Sequence, residues 1–227
     1  TRVCISLSLA IFILALSFCG SSGVQDKSQW RQLFNGKDLT GWKHVGGGSM
    51  LVENSLLRGN GGMGLLFWQG EKFSNCVIKV VYKLEKPNSG SGIFIRVPIE
   101  PREEWMPVYY GYEVQIDDHP ELYNEDEYHY TGVLYSLTKP LAKNDKPGLE
   151  WNTMEITLDG PRTIVYVNGT RVTDYVEGDP VPDRKLDFEP FRGLRPDSGY
   201  IGVQNQSKAD VVYFKEIAVK SLDKPSK

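Results

Sequence analysis

The sequence is poor in cysteine, poor in histidine and without an excess of charge of either sign, and each shortage removes a class of function. Three cysteines stand in 227 residues. Cys4 and Cys19 fall in the first apolar segment and Cys76 stands alone before VIKVVYKL, so no disulfide framework can be drawn, and Cys76 reads as a small buried hydrophobe. The histidines, His44, His119 and His129, form no H-x-x-x-H pair, which argues against a zinc-type site. Twenty-six basic residues against 29 acidic ones leave a net charge of -3, which gives no electrostatic footprint for nucleic acid. No stretch carries the apolar spacing of an amphipathic helix.

One long apolar run is present, at the start. Arg2 precedes the almost uninterrupted Val3 to Phe18, and the small residues Gly20, Ser21, Ser22 and Gly23 follow. Residues 1–23 therefore read as an export signal, with an uncleaved membrane anchor as the alternative. Leu16-Ser17-Phe18-Cys19-Gly20-Ser21-Ser22 also resembles a bacterial lipoprotein cleavage box, with Cys19 as the residue to be lipidated and Phe18 where a small residue is usual. The expectation is an exported protein that is periplasmic, an outer-membrane lipoprotein or secreted, and that meets a membrane only through this segment. Residues 24–227 fit one all-β domain, since such domains often reach roughly 200–250 residues.

Within that domain the pattern has period two. Leu51 to Arg58, Gly64 to Trp68, Phe73 to Leu84, Ile93 to Val97, Thr131 to Leu137, Asn152 to Leu158, Thr163 to Val167, Gly199 to Gln204 and Val211 to Lys220 read as strands. Asn168-Gly169 predicts a hairpin into Arg171 to Tyr175. Pro98 to Pro107, His119 to Tyr130 and Gly178 to Pro196 read as loops. Many short strands at regular spacing predict a β-sandwich.

Candidate chemistry centres on Tyr112-Glu113-Val114-Gln115-Ile116-Asp117. On a strand Glu113, Gln115 and Asp117 share one face while Val114 and Ile116 share the other, giving a polar platform the size of a sugar. Arg96, opposite Ile95 and Val97 in its own strand, is expected beside Glu113. Trp105, Tyr109, Tyr110, Tyr123, Tyr128, Tyr130 and Tyr135 supply flat faces for pyranose rings near that platform. Glu121, Glu125, Asp126 and Glu127 raise the possibility of calcium but lack the spacing and glycine of an EF-hand loop. No cofactor is expected, and a divalent metal is left open.

Phe34-Asn35-Gly36-Lys37-Asp38-Leu39-Thr40-Gly41-Trp42, Ser91-Gly92-Ile93-Phe94-Ile95-Arg96, Tyr112 to Asp117, Thr131-Gly132-Val133-Leu134-Tyr135, Glu150-Trp151-Asn152-Thr153, Val167-Asn168-Gly169 and Gly199-Tyr200-Ile201-Gly202-Val203-Gln204 occur in this order. Together they resemble the signatures of the 3-keto-disaccharide hydrolase domain family. The resemblance implies an all-β, concanavalin A-like jelly-roll sandwich of two antiparallel sheets, in an exported bacterial protein that acts on 3-keto sugars or related glycosides. Gly90 stands where that family often has Asn, and Gln204-Asn205-Gln206-Ser207 lacks a His that often follows the Gln.

A ketone at C3 acidifies the C2 proton and places the C1 oxygen beta to the carbonyl, so the glycosidic bond can break by elimination. Glu113 or Asp117 would be the base or acid, Arg96 would hold the enolate charge and Gln115 would orient hydroxyls. Tyr135, His119, Trp105, Tyr110 and Gln204 complete the expected substrate contacts, and hydration of the enone gives net hydrolysis. Ordinary two-carboxylate hydrolysis wants carboxyls ~5–5.5 Å or ~6.5–9.5 Å apart, whereas residues four apart on a strand are separated by roughly 13 Å. The rivals are a non-catalytic carbohydrate-binding module and a surface glycan-binding lipoprotein. The partner expected is a small carbohydrate, with no nucleic acid.

Overall fold

A computed structural model describes residues 30–118 and 126–223. The expected signal with Cys19, and His119 with Glu121, Tyr123 and Glu125, lie outside the described residues. Strands dominate: β1 (Arg31–Gln32), β2 (Trp42–Gly46), β3 (Ser49–Glu53), β4 (Leu56–Asn60), β5 (Gly64–Trp68), β6 (Cys76–Leu84), β7 (Gly90–Val97), β8 (Tyr112–Asp117), β9 (Asn152–Asp159), β10 (Arg162–Val167), β11 (Thr170–Val176), β12 (Tyr200–Asn205) and β13 (Val212–Ser221). A short α-helix, α1 (Met106–Tyr110), begins within the Pro98 to Pro107 stretch expected as loop.

The strands form two antiparallel sheets. One runs β11-β10-β9-β6-β13-β4-β3, with β1 also paired to β13, and the other runs β2-β5-β12-β7-β8. β6 shows the driving pattern: Cys76, Ile78, Val80, Tyr82 and Leu84 are buried, and the residues between them are not. This is period two with one face committed to the core. The inner faces of both sheets meet there, Ile78, Met154 and Phe214 against Ile93, Val114 and Val203. Burial pushes the Cys76 thiol up to about 12, so it is an inert core group. The architecture is the expected jelly-roll sandwich.

Two expected strands differ. Leu51 to Arg58 is split into the hairpin β3–β4, because Asn54 and Ser55 take positive φ of 51° and 62°, the conformation of a tight two-residue hairpin turn. Thr131 to Leu137 keeps only an isolated bridge, Val114 to Leu134, and is otherwise turns that lie along the outer edge of β8.

A bulge in β7 decides what the site contains. Val97 pairs with Tyr200 and Phe94 with Gly202, so Ile95 and Arg96 together oppose Ile201, and Arg96 has φ of 52°. The extra residue breaks the alternation and re-aims the side chain. Arg96 is fully buried, and its guanidinium donates to Gly160 O (2.7 Å), Arg162 O (3.2 Å), Pro196 O (3.1 Å) and Thr163 Oγ1 (3.2 Å). These partners belong to the β9–β10 hairpin of the opposite sheet and to the loop before β12. The expected place of Arg96 beside Glu113 is therefore corrected: its donors are spent tying the two sheets together.

Removing that tie leaves four acceptors unmatched, so Arg96→Met is expected to cost about 3–5 kcal/mol of folding free energy, read as a fall in the urea midpoint. Arg96→Lys is expected to recover less than half of the loss, because a point ammonium cannot reproduce the fork of donors.

Candidate active site

The outer face of the five-stranded sheet carries the site, and glycine makes its floor. In Ser89-Gly90-Ser91-Gly92 the serines point between the sheets, where Ser91 Oγ donates to Gln204 O at 2.8 Å, and the glycines face outward. Cross-strand neighbours occupy the space that side chains would take there. A Cβ at Gly92 would collide with the Glu113 carboxyl, and one at Gly90 with the Gln206 amide. Glu113 thus lies across the β7 backbone toward β12, flanked by Gln115 and Asp117 on its own strand and by Gln204 and Gln206 beyond.

The rest of the face is apolar. Val45, Leu65, Phe67, Phe94 and Val97 form a second cluster with Val108 of α1, and Met63, Tyr135 and Tyr200 pack against it. The segment between β7 and β8 crosses the sheet as one wall. It is pinned at β2 by Lys43 to Glu100, 2.8 Å, and by Glu104, whose side chain rests on Gly46. The other wall follows the edge of β8: Gln115 N donates to Val133 O (2.9 Å), Gly132 N to Gln115 O (2.8 Å) and Tyr135 N to Glu113 O (2.9 Å). Thr131 Oγ1 grips both backbone groups of Asp117 at 2.9 Å.

Burial sets the chemistry. Glu113 is 6% exposed and Gln115 and Gln204 are 5% exposed each. Desolvation above all, opposed by a hydrogen bond from Gln204 and helped by the negative Asp117, raises the Glu113 carboxyl from 4.5 to about 8. A carboxyl tuned near neutrality can either take or give a proton. The amide oxygens of Gln115, Gln204 and Gln206 are buried without a hydrogen-bond partner.

Of the expected residues, Glu113, Gln115, Asp117 and Gln204 share this floor, and Tyr135 stands on its wall. Trp105 and Tyr110 join an aromatic row instead, Trp105 on Tyr109 at 6.1 Å, Tyr109 on Phe191 at 5.2 Å and Tyr110 against Phe191 at 5.4 Å. Gln206 and His129 were not among them. Gln206 continues the alternation of Gln204 by one more step of two, and His129 sets its ring 5.2 Å from Tyr135. His44 is engaged elsewhere, its Nε2 accepting from Met50 N at 2.7 Å. Among the described residues no three His, Cys, Asp or Glu side chains are grouped to hold a metal ion. A small hollow lined by Tyr112, Tyr175, Phe191 and Arg192 shares no residue with the floor.

Because the folded pKa of Glu113 exceeds its unfolded value, the protein is expected to be most stable below about pH 4.5 with respect to this group, and to lose that contribution as pH rises to about 8. Glu113→Gln should flatten the corresponding fall in melting temperature between pH 5 and 9. Gly92→Ala is expected to cost about 1–3 kcal/mol and to displace the Glu113 carboxyl, seen as a return of the group's titration toward the ordinary carboxylate range by NMR.

No curated protein matches the sequence. Among solved structures, the chain resembles a protein from Parabacteroides distasonis provisionally assigned as a glycosyl hydrolase, with 25% identity and a TM-score of 0.69, over 86% of this chain and 95% of that one. The carbohydrate-binding module CBM66 from Bacillus subtilis superposes with a TM-score of 0.53 at 12% identity, over 80% of this chain and 96% of the module. A galectin-like protein of unknown function from the same organism gives 0.58 at 13%, over 85% and 94%. The last two likenesses concern the fold alone. The profile of the 3-keto-alpha-glucoside-1,2-lyase-like domain matches residues 29–220, and with the motif order, the jelly roll and the carboxyl-and-amide floor all in hand, the chain belongs to that family, the one its 3-keto-disaccharide hydrolase signatures resemble.

Proposed function

We propose that this carbohydrate-active protein is an exported enzyme that opens 3-keto-glycosides by elimination across C1 and C2. The observation that carries the reading is Glu113, a buried carboxyl raised to about 8 in a face otherwise made of amides, one further carboxyl and apolar rings. Elimination needs a base strong enough for a C–H proton alpha to a ketone, and a desolvated carboxylate is a stronger base than a solvated one. The family description, a 1,2-lyase of 3-keto-α-glucosides, fits the same bond change.

In the proposed step the Glu113 carboxylate takes the C2 proton, and the C2–H electron pair moves onto the ketone oxygen as an enolate. The enolate re-forms the ketone, the C2–C1 double bond closes, and the C1–O bond breaks with its electrons leaving on the aglycone oxygen. That oxygen takes its proton from the Glu113 carboxyl, which has just received one from C2, while the ionised Asp117 on the same face favours the protonated Glu113. The Gln115 amide N–H replaces Arg96 as the donor to the enolate. Addition of water to C1, with the proton returned to C2, turns the enone into the hydrolysis product. In this reading Tyr135 walls the ring, the aromatic row that holds Trp105 and Tyr110 receives the aglycone, and residues 1–23 with Cys19 direct export.

A binding module is the second reading. The absence of a His after Gln204 favours it, and the fold shared with the carbohydrate-binding module is compatible with it. The discriminating experiment is incubation with 3-ketosucrose and sucrose, following released monosaccharide by chromatography. Release from the keto sugar alone is expected, with kcat/KM rising with pH through about 8 and falling about 10²–10⁴-fold in Glu113→Gln. Equal release from sucrose, or an unchanged rate in Glu113→Gln and Asp117→Asn, would sink the elimination reading, and calorimetric binding without any product would select the module.

A further inference from the structure

Native structures seldom leave buried acceptors unmatched, because each one costs the desolvation of the group without a return. The floor keeps two such acceptors on side chains about 5% exposed, the amide oxygens of Gln115 and Gln204. They stand at matched positions. Gln115 pairs with Gly92 on one side, and the register that sets Val203 against Ile93 brings Gln204 to Gly92 on the other. The Glu113 carboxyl lies over that same glycine. The order across the three strands is therefore acceptor, carboxyl, acceptor, and the Gln206 oxygen adds a third unmatched acceptor one step along β12.

A ketone oxygen can only accept, so it cannot satisfy either amide oxygen. A hydroxyl can. In a 3-keto pyranoside the two hydroxyls that flank the ketone are those at C2 and C4. We propose that Gln115 and Gln204 are specificity-determining residues whose amide oxygens each accept a hydrogen bond from one of these two hydroxyls. They centre the C2–C3 bond over Glu113 and restrict the site to sugars that keep both groups free. This rests on the elimination reading for the identity of the ring, and it adds which ring positions are read and by which side chains.

The test uses the whole chain and calorimetry with a 3-keto C-glucoside, whose C1–carbon bond cannot be eliminated, together with its 2-deoxy, 4-deoxy and 6-deoxy analogues. Loss of the C2 or the C4 hydroxyl is expected to weaken binding about 10- to 100-fold each, as for a buried acceptor left unmatched, with the 6-deoxy sugar within about 3-fold of the parent. Gln115→Met should abolish one of the two penalties and Gln204→Met the other. If either variant fails to fold, the remaining one and the deoxy series on the unaltered protein carry the same comparison. Tight binding of the parent with no penalty at C2 and C4, or penalties that persist in both variants, overturns the assignment of Gln115 and Gln204 while leaving elimination standing. Failure of the parent sugar to bind overturns both.

Discussion

The burial of one guanidinium between the two sheets governs much of this molecule. A charged group in a sandwich core is costly unless every donor is matched, and Arg96 meets that condition only by recruiting carbonyls from the β9–β10 hairpin and from Pro196. It therefore fixes the spacing of the sheets at that end, the course of the loop that leads into β12, and the bulge that lets β7 turn its side chain inward. Gly199 follows from the same arrangement, since a Cβ there would strike the Arg96 backbone.

Taking Arg96 off the outer face leaves that face without a buried cation. The Glu113 carboxyl is buried with no cation among the groups that act on it, which is why its proton affinity rises. The two glycines give the same result by a steric route: they let long side chains from β8 and β12 lie flat over β7, so the polar groups converge instead of standing apart at strand spacing. Converging carboxyl and amide groups beside an apolar half-face of Leu65, Phe67 and Phe94 match the two-sided character of a sugar.

The sequence made the sandwich legible because one face of each strand is committed to the core, as in β6, and because Asn168-Gly169 admits little besides a hairpin. It also made Glu113, Gln115 and Asp117 legible, since alternation within one strand is local. Arg96 was misplaced for a definite reason. Alternation assumes an unbroken register, and whether Ile95 and Arg96 oppose one residue or two depends on Tyr200 and Gly202, more than a hundred positions away. Asn54-Ser55 hid a turn inside an apolar run, and Thr131 to Leu137 looks like a strand but is broken into turns that reach β8 through a few backbone hydrogen bonds and one isolated bridge. Gln206 lay within reach, since it extends the alternation of Gln204.

The segment from Thr131 to Tyr135 has one more consequence. β8 ends the order of its sheet, and an unprotected end strand offers unpaired amides and carbonyls to any other chain. Here those groups are taken up by Gly132, Val133 and Tyr135, so the wall of the cleft also serves as a guard against edge-to-edge association. The two duties constrain each other: that wall cannot swing away to admit a bulky sugar without baring a sticky edge. Room for larger ligands must come from the opposite side, where the segment carrying Trp105 and α1 crosses the sheet.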